Sequence, residues 1–416
     1  MSRPPDPPVE RRRVFYIPGY DPYPARRYRE LYRSQGKEQA RIAGYRLAVR
    51  GARGGPHYGW EVAGEIDGAR VRARVDVLQW SDIVRDTMDQ TVAGTYLQLI
   101  RTAIVYIGSG ALRRMTWLRK GPVIAGLYPA VMLLLQLLMG LVAGWIVANA
   151  VAALLGFLLG WLLPGVGWGW VGVVVGTVVM VLVLRQFRAW DRHILAYYLM
   201  HDLAHTAQSG GAYPPEMDAR IEAFADDVAR ALTQKVDEVL VVGHSSGAHL
   251  AVSVLARLLR EGRVPADGPV LSLLTLGQAI PMVSFLPKAG QLRRDLHDLA
   301  SSDRIVWIDI SAPSDGGSFA LCDPVAVSGV SPKVQRWPLV LSAAFRNSLS
   351  TERFKALRWR FFRLHFQYLC AFDKPEAYDY FRITAGPETL GTRFANRKPS
   401  SNRIDVRASR YNSMTP

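Results

Sequence analysis

The strongest constraint in this sequence is an absence: between Gly121 and Leu184 there is no Asp, Glu, Lys or Arg. The stretch VIAGLYPAVMLLLQLLMGLVAGWIVANAVAALLGFLLGWLLPGVGWGWVGVVVGTVVMVLVL far exceeds the ~20 apolar residues that cross a bilayer. A buried core helix is the alternative, but such helices seldom stay uncharged for so long. Pro164, Gly165, Gly167 and Gly169 interrupt the run near its middle, where Trp145, Trp161, Trp168 and Trp170 also gather. A turn at a membrane interface belongs there. Two spans are therefore expected, roughly Val123 to Val147 and Trp168 to Leu184. Arg113, Arg114, Arg119 and Lys120 flank one end, and Arg185, Arg188 and Arg192 the other. By the positive-inside rule both flanks are expected to be cytoplasmic, which three spans would not allow.

Charge and cysteine content narrow the rest. Lys and Arg total 51 against 35 Asp and Glu, a formal +16. Such a surplus suits nucleic acid, an anionic membrane surface or acidic ligands. The basic residues here are scattered or juxtamembrane and accompany no recognised binding motif, so no nucleic-acid partner is expected. Cys322 and Cys370 have neither metal spacing nor a pairing framework, which fits a reducing compartment and excludes a thiolate zinc site. His201 and His205 lie four apart, a spacing able to hold a metal from one helix face, but without the glutamate of a zincin motif. Neither a metal nor a cofactor is expected. Residues 1–13, MSRPPDPPVERRR, are Pro-rich and basic without an apolar core, and read as a disordered lead rather than a signal or a span. The polar, basic tail 391–416 reads as disordered too.

Chemistry is concentrated in EVLVVGHSSGAHLAVSVLARLL, Glu238 to Leu259. Upstream, Ile221, Phe224, Val228 and Leu232 are spaced as on an amphipathic helix over Met217 to Leu232. Val239 to Val242 is too short for a helix and reads as a buried strand. Leu250, Val254 and Leu258 then form a helical stripe. Gly-x-Ser-x-Gly in a glycine-rich chain is by itself a weak signal and marks an ordinary helix start. Between a strand and a helix it means a sharp corner that exposes a serine hydroxyl. Gly243 and Gly247 are then needed because strand and helix approach too closely for a Cβ. Ser245 sits at the helix N-terminus, where the amide of Ser246 is able to donate to a developing oxyanion.

With Gly243, His244, Ser245, Ser246 and Gly247 in this setting, the sequence resembles the α/β-hydrolase superfamily. The resemblance implies a mostly parallel α/β sheet flanked by helices, a serine, acid, histidine triad in that chain order, and an oxyanion loop after an early strand. RVFYIPGYDPYP offers the strand Val14 to Ile17 and then a bend that looks like that loop, in which Gly19 and Tyr20 would supply the second backbone donor. An ordinary strand-to-turn junction is the alternative. For the acid, DRIVWIDISAPSDGGSFALCDP offers a strand Ile305 to Ile310, then Asp315 in a loop, with Asp323 as second choice and Asp309, inside the strand, third. His365 is the favoured base, since it alone follows the candidate acids. Residues Glu352 to Leu369 nevertheless read as one amphipathic helix, whereas the family holds its histidine in a loop. Either that helix breaks near His365 or the residue packs on an apolar face. His244 is expected to shape the acyl pocket.

The first two strands usual for the family have no room before Val14, so the sheet is expected to be trimmed at that edge. Trp60 to Ile66 and Ala69 to Leu78 flank Asp67-Gly68, a hairpin signal that supplies a replacement. The expected organisation is a hydrolase-like domain in two parts, 14–112 and 193–390, interrupted by a transmembrane hairpin at 113–192. The reading is a membrane-anchored serine esterase or lipase-like enzyme, with membrane lipids or long acyl esters as partners and both termini cytoplasmic. An acyltransferase or thioesterase would use the same triad, and an inactive membrane scaffold on the same fold remains an alternative.

Overall fold

Eight short segments of the chain join one mixed sheet in the computed structural model, which describes residues 6–88 and 90–415. They are β1 (Arg11–Ile17), β2 (Arg46–Gly51), β3 (Gly59–Ile66), β4 (Ala69–Val77), β5 (Glu238–His244), β6 (Val270–Leu276), β7 (Val306–Ser311) and β8 (Leu339–Ser342). Their order across the sheet is β2-β3-β4-β1-β5-β6-β7-β8. From β4 to β8 all neighbours are parallel, and β2, β3 and β4 form an antiparallel meander. The expected hairpin is present, turned by Asp67 and Gly68, both with positive φ as a tight two-residue turn requires. β5 and β7 are buried along their whole length, as parallel strands covered on both faces must be, which is why they read as predominantly apolar runs, Val239–Val242 in β5 and Val306–Ile310 broken only by Asp309 in β7.

This order fixes where a site is able to form. β1 and β5 lie side by side with Ile17 opposite Gly243, so their carboxyl ends are adjacent despite the long interval between them in sequence. After β1 the chain passes through helix Arg26–Ala43 towards the β2 edge, whereas after β5 it passes through helix Gly247–Arg260 to β6 on the other side. Connections that diverge in this way leave a crevice beyond the strand ends.

Several expectations of the sequence are corrected. The basic triplet Arg11–Arg13, taken as part of a disordered lead, opens β1. Arg12 is fully buried and pairs with Glu238 at 2.6 Å, while its guanidinium also donates to Gly386 O at 2.8 Å. Residues 1–5 of that lead lie outside the described residues. The tail is packed as well: Leu390–Phe394 is helical, Asp323 N donates to Ile404 O at 2.8 Å, and Ala408 and Ser409 are buried with their amides on Val327 O. A polar composition had concealed these backbone attachments. Glu352 to Leu369 is broken into helices Thr351–Leu357 and Phe361–His365 and a 3₁₀ turn Phe366–Leu369.

The chain divides into two units. One comprises Met1–Asp86, Val105–Val123 and Thr206–Pro416 and carries the sheet; the other comprises Thr87–Ile104 and Ile124–His205. The second unit overlaps the expected 113–192 segment over 124–192, adds 87–104 and 193–205, and leaves 113–123 with the sheet unit. The second unit contains two helices long and apolar enough to cross a membrane, Lys120–Leu159 (40 residues) and Gly169–Ala189 (21 residues). Small residues bring them together: a Cβ on Gly144 would stand 2.6 Å from Gly176 O, and one on Gly176 would stand 2.8 Å from Ala148 Cβ. Close backbone approach through glycine is how apolar helices pack where no hydrophobic effect drives them together.

Candidate active site

The corner after β5 has the geometry that its glycines imply. Ser245 is in the left-handed region at φ +58°, its amide donates to Leu276 O at 3.0 Å, and the helix Gly247–Arg260 begins two residues later. A Cβ on Gly243 would stand 2.7 Å from Ala248 Cα and 2.8 Å from Gly247 O, so no larger residue fits between strand and helix. A Cβ on Gly247 would strike the carbonyls of Ile17 and Pro18, which locks the corner to the end of β1. Ser245 and Ser246 are half-buried.

The bend after β1 meets this corner. A Cβ on Gly19 would lie 3.0 Å from Ser245 Cβ and 3.4 Å from its Oγ, so the glycine leaves the space beside the hydroxyl open. The bend is held from behind: Trp80 Nε1 donates to Pro18 O at 2.9 Å, and the Tyr20 ring is buried edge-on to Trp80 with centroids 5.9 Å apart. Tyr20 is therefore anchored by its ring, which leaves only its main chain for the site. Asp21 accepts from the Tyr23 amide at 2.9 Å, from Arg27 at 3.2 Å and from the Tyr28 hydroxyl.

Among the acids, the structure pairs Asp315 with His365. The His365 Nδ1 lies 2.9 Å from Asp315 Oδ2 and 3.1 Å from Oδ1, and both residues are buried. A carboxylate at Nδ1 holds the imidazole proton there and leaves Nε2 as the basic nitrogen. Burial alone opposes the charge on Asp315. The facing His365, the Gly317 amide (2.9 Å) and the Tyr368 hydroxyl (2.9 Å) outweigh it and hold the carboxyl below its ordinary value. Tyr368 is fixed in turn by the Ala312 amide, which donates to its oxygen at 2.9 Å. Asp323 is occupied elsewhere: it caps helix Pro324–Val327 through the amides of Val325 and Ala326 and accepts from Gln335 at 2.7 Å. Asp309 is fully buried in β7, takes a bond from Thr275 Oγ1 at 2.6 Å, and is pushed up to about 7 by burial.

His365 closes the short helix Phe361–His365, and the break that follows places Phe366–Leu369 to carry Tyr368 back to Asp315. His244 lies against this histidine: its ring is 4.9 Å from that of His365 with an interplanar angle of 32°, and its Nε2 is 3.1 Å from His365 O. Burial first, and then the His365 ring, push the His244 imidazole down to about 3. A neutral His244 carries a proton on Nε2 to donate to that carbonyl. Sequence reasoning did not find Tyr368 or this function of His244; three-residue spacing from His365 was the available signal for the tyrosine. At the rim, the Arg27 guanidinium lies over the rings of Phe366 and Tyr23, both at 5.1 Å.

The arrangement therefore offers a hydroxyl on a strained corner, a carboxylate–imidazole pair joined through Nδ1, and a glycine-lined space beside the hydroxyl. These are the parts for activating a nucleophile and holding a developing oxyanion. No protein-family model, curated protein or solved structure matches the chain.

Proposed function

We propose that this chain is a membrane-anchored serine hydrolase that cleaves acyl esters, with Ser245, His365 and Asp315 as its triad. The observation that carries this reading is the meeting of the Ser245 corner with the Gly19 bend at adjacent strand ends, in the same unit as the Asp315–His365 pair. Ser245 Oγ attacks the acyl carbonyl as His365 Nε2 takes its proton. Asp315 stabilises the resulting imidazolium through Nδ1. The oxyanion is received by main-chain donors at Ser246 and at Gly19 or Tyr20. His365 then returns the proton to the leaving group, and water repeats the sequence on the acyl-enzyme. Elbow residues Gly243, His244 and Gly247 hold the geometry.

Two helices long and apolar enough to cross a membrane support a membrane location for such a domain; in this reading the sheet unit and both termini lie on the cytoplasmic side, with the basic flanks against anionic headgroups. Lipid-like or long acyl esters suit that location best. Acyl transfer to an acceptor other than water would use the same groups. The test is labelling by a fluorophosphonate probe together with hydrolysis of p-nitrophenyl esters of graded chain length in detergent. Wild type should label and prefer longer chains, and Ser245→Ala should lose on the order of a millionfold in turnover and all labelling. Undiminished labelling of Ser245→Ala refutes the assignment, and an unlabelled, inactive wild type favours the scaffold reading.

A further inference from the structure

Helix Val92–Gly108 turns an apolar stripe outward. Its buried positions include Thr95, 0% exposed, and Thr102, 7% exposed, while Leu97, Ile100 and Ile104 stand 46%, 57% and 66% exposed. At 100° per residue these three side chains fall within roughly 60° of arc, with Arg101 at the rim. In water the hydrophobic effect arranges a helix the other way, apolar stripe inward and polar residues outward. The outward surroundings of this helix are therefore apolar.

The second unit indicates what those surroundings are. Tyr96 OH donates to Leu133 O at 2.9 Å, and Tyr96 and Leu99 pack on a cluster of Leu133, Ala196, Tyr197, Met200 and Ala204. The helix is thus fastened by its inner face to the start of Lys120–Leu159, the longer of the two apolar helices. At 1.5 Å per residue that helix is about 60 Å long, twice a ~30 Å hydrocarbon core, whereas Gly169–Ala189 is about 32 Å and matches it. A Cβ on Gly140 would touch Leu184 and one on Gly172 would touch Ala152, so the shorter helix lies along the carboxyl-terminal part of the longer one. The amino-terminal third extends beyond that overlap. It still exposes Ile124, Leu127, Val131 and Leu134, spaced three, four and three apart.

We propose that the Leu97, Ile100 and Ile104 face and this amino-terminal third form a continuous lipid-facing collar at the glycerol and phosphate level of one phospholipid leaflet, just beyond the hydrocarbon span that the shorter helix matches. Arg101 at the rim extends its guanidinium to the phosphates, in the way long basic side chains keep their charge in a polar layer. The collar holds the insertion in the leaflet plane, in addition to the two helices that cross it. The inference rests on the membrane reading of those two helices and is independent of catalysis.

The test uses full-length protein with Cys322→Ala and Cys370→Ala, carrying Ile100→Cys or Ile104→Cys labelled with an environment-sensitive fluorophore. Val178→Cys serves as the bilayer reference and Lys235→Cys as the aqueous one. The labelled proteins go into nanodiscs of phosphatidylcholine and phosphatidylglycerol, with and without brominated acyl chains. Emission at 100 and 104 should be reduced by the bromolipid, though less than at 178, and retained at 235. Loss at 178 with retention at 100 and 104 overturns the collar alone; retention at all positions overturns the membrane reading and the collar with it. A variant-free measurement stands beside this: a phosphatidylcholine with a diazirine on its acyl chain should leave adducts on the 92–108 peptide of the unmodified protein. Adducts confined to Gly169–Ala189 overturn the collar, as does cross-linking of 92–108 to the same helix of a second copy in place of lipid adducts.

Discussion

Ser245 gives the sharpest quantitative test of the corner, because two replacements remove its hydroxyl and differ only in the backbone cost. At φ +58° an L-residue is about 1–2 kcal/mol above its right-handed conformation, and glycine is not. Ser245→Ala keeps a Cβ and the strain with it. Ser245→Gly releases the strain but gives the unfolded chain more freedom, which offsets about 0.5–1 kcal/mol of the gain. Both variants keep the amide that donates to Leu276 O at 3.0 Å. The glycine variant should therefore be up to about 1.5 kcal/mol more stable than the alanine variant, with a Tm up to about 6 °C higher at this size of domain. Thermal unfolding of the two in one detergent, followed by near-ultraviolet dichroism, reads the difference, and neither should take up a fluorophosphonate. An alanine variant more stable than the glycine variant would refute the claim that the corner is strained and that the serine is kept there at the expense of stability.

Further outcomes follow from the same geometry. Gly243→Ala would place a Cβ 2.7 Å from Ala248 Cα, main chain that is unable to swing aside, so stability should fall by about 1–3 kcal/mol and turnover by about 100-fold for a displacement near 1 Å; a wild-type Tm would overturn the close approach. Burial and then His365 hold His244 at about 3 against an ordinary 6.5, so the unfolded chain binds the proton first. Stability should therefore decline once pH drops below 6.5 and continue to decline towards 3, by up to about 1.4 kcal/mol per pH unit. Urea titrations at pH 7 and pH 5 measure this, and His244→Gln should remove that share of the slope; an unchanged slope refutes it. Asp315→Asn reverses the bond to His365 Nδ1 and should cost about 10⁴ in turnover, whereas Asp323→Ala should cost a helix cap, about 0.5–2 kcal/mol, with turnover per folded molecule retained. The opposite pattern in ester hydrolysis would exchange their roles.

Much of the sheet was legible because parallel strands are short apolar runs bounded by turns, and β5, β7 and the Asp67-Gly68 hairpin carry strong forms of that signal. The corner was legible for the same local reason: its glycines, strand and helix are contiguous. The pairing of Asp315 rather than Asp323 with His365 was a preference in the sequence, since both acids follow the same strand in turn-forming contexts. What separates them is tertiary: Asp323 spends both oxygens on a helix cap and Gln335, which no local pattern records. The amino-terminal basic segment was misread because composition treats Arg11–Arg13 as solvent-seeking, and only the distant Glu238 and the carbonyl of Gly386 make Arg12 a core residue. The tail was misread in the same way, since backbone bonds to Leu321, Val327 and Asp323 leave no trace in side-chain polarity.

Periodicity also carries no sign, and two helices of this chain show why that matters. In Pro215–Leu232 the stripe Ile221, Phe224, Val228 and Leu232 is buried, and Glu216 and Arg230 stand exposed, as water requires. In Val92–Gly108 a stripe of similar spacing faces outward and threonines face in. The two patterns look alike as sequence, because a stripe states that two faces differ without stating which of them meets solvent. The sign is set by the medium, and the medium in turn is declared only by the uncharged stretch that begins at Gly121. A reading that assigns water to every segment outside that stretch therefore inverts the helix beside it. The orientation of Val92–Gly108 is best derived from its attachment to Leu133, since packing through Tyr96 and Leu99 leaves the Leu97, Ile100 and Ile104 stripe as the apolar surface to present to the lipid.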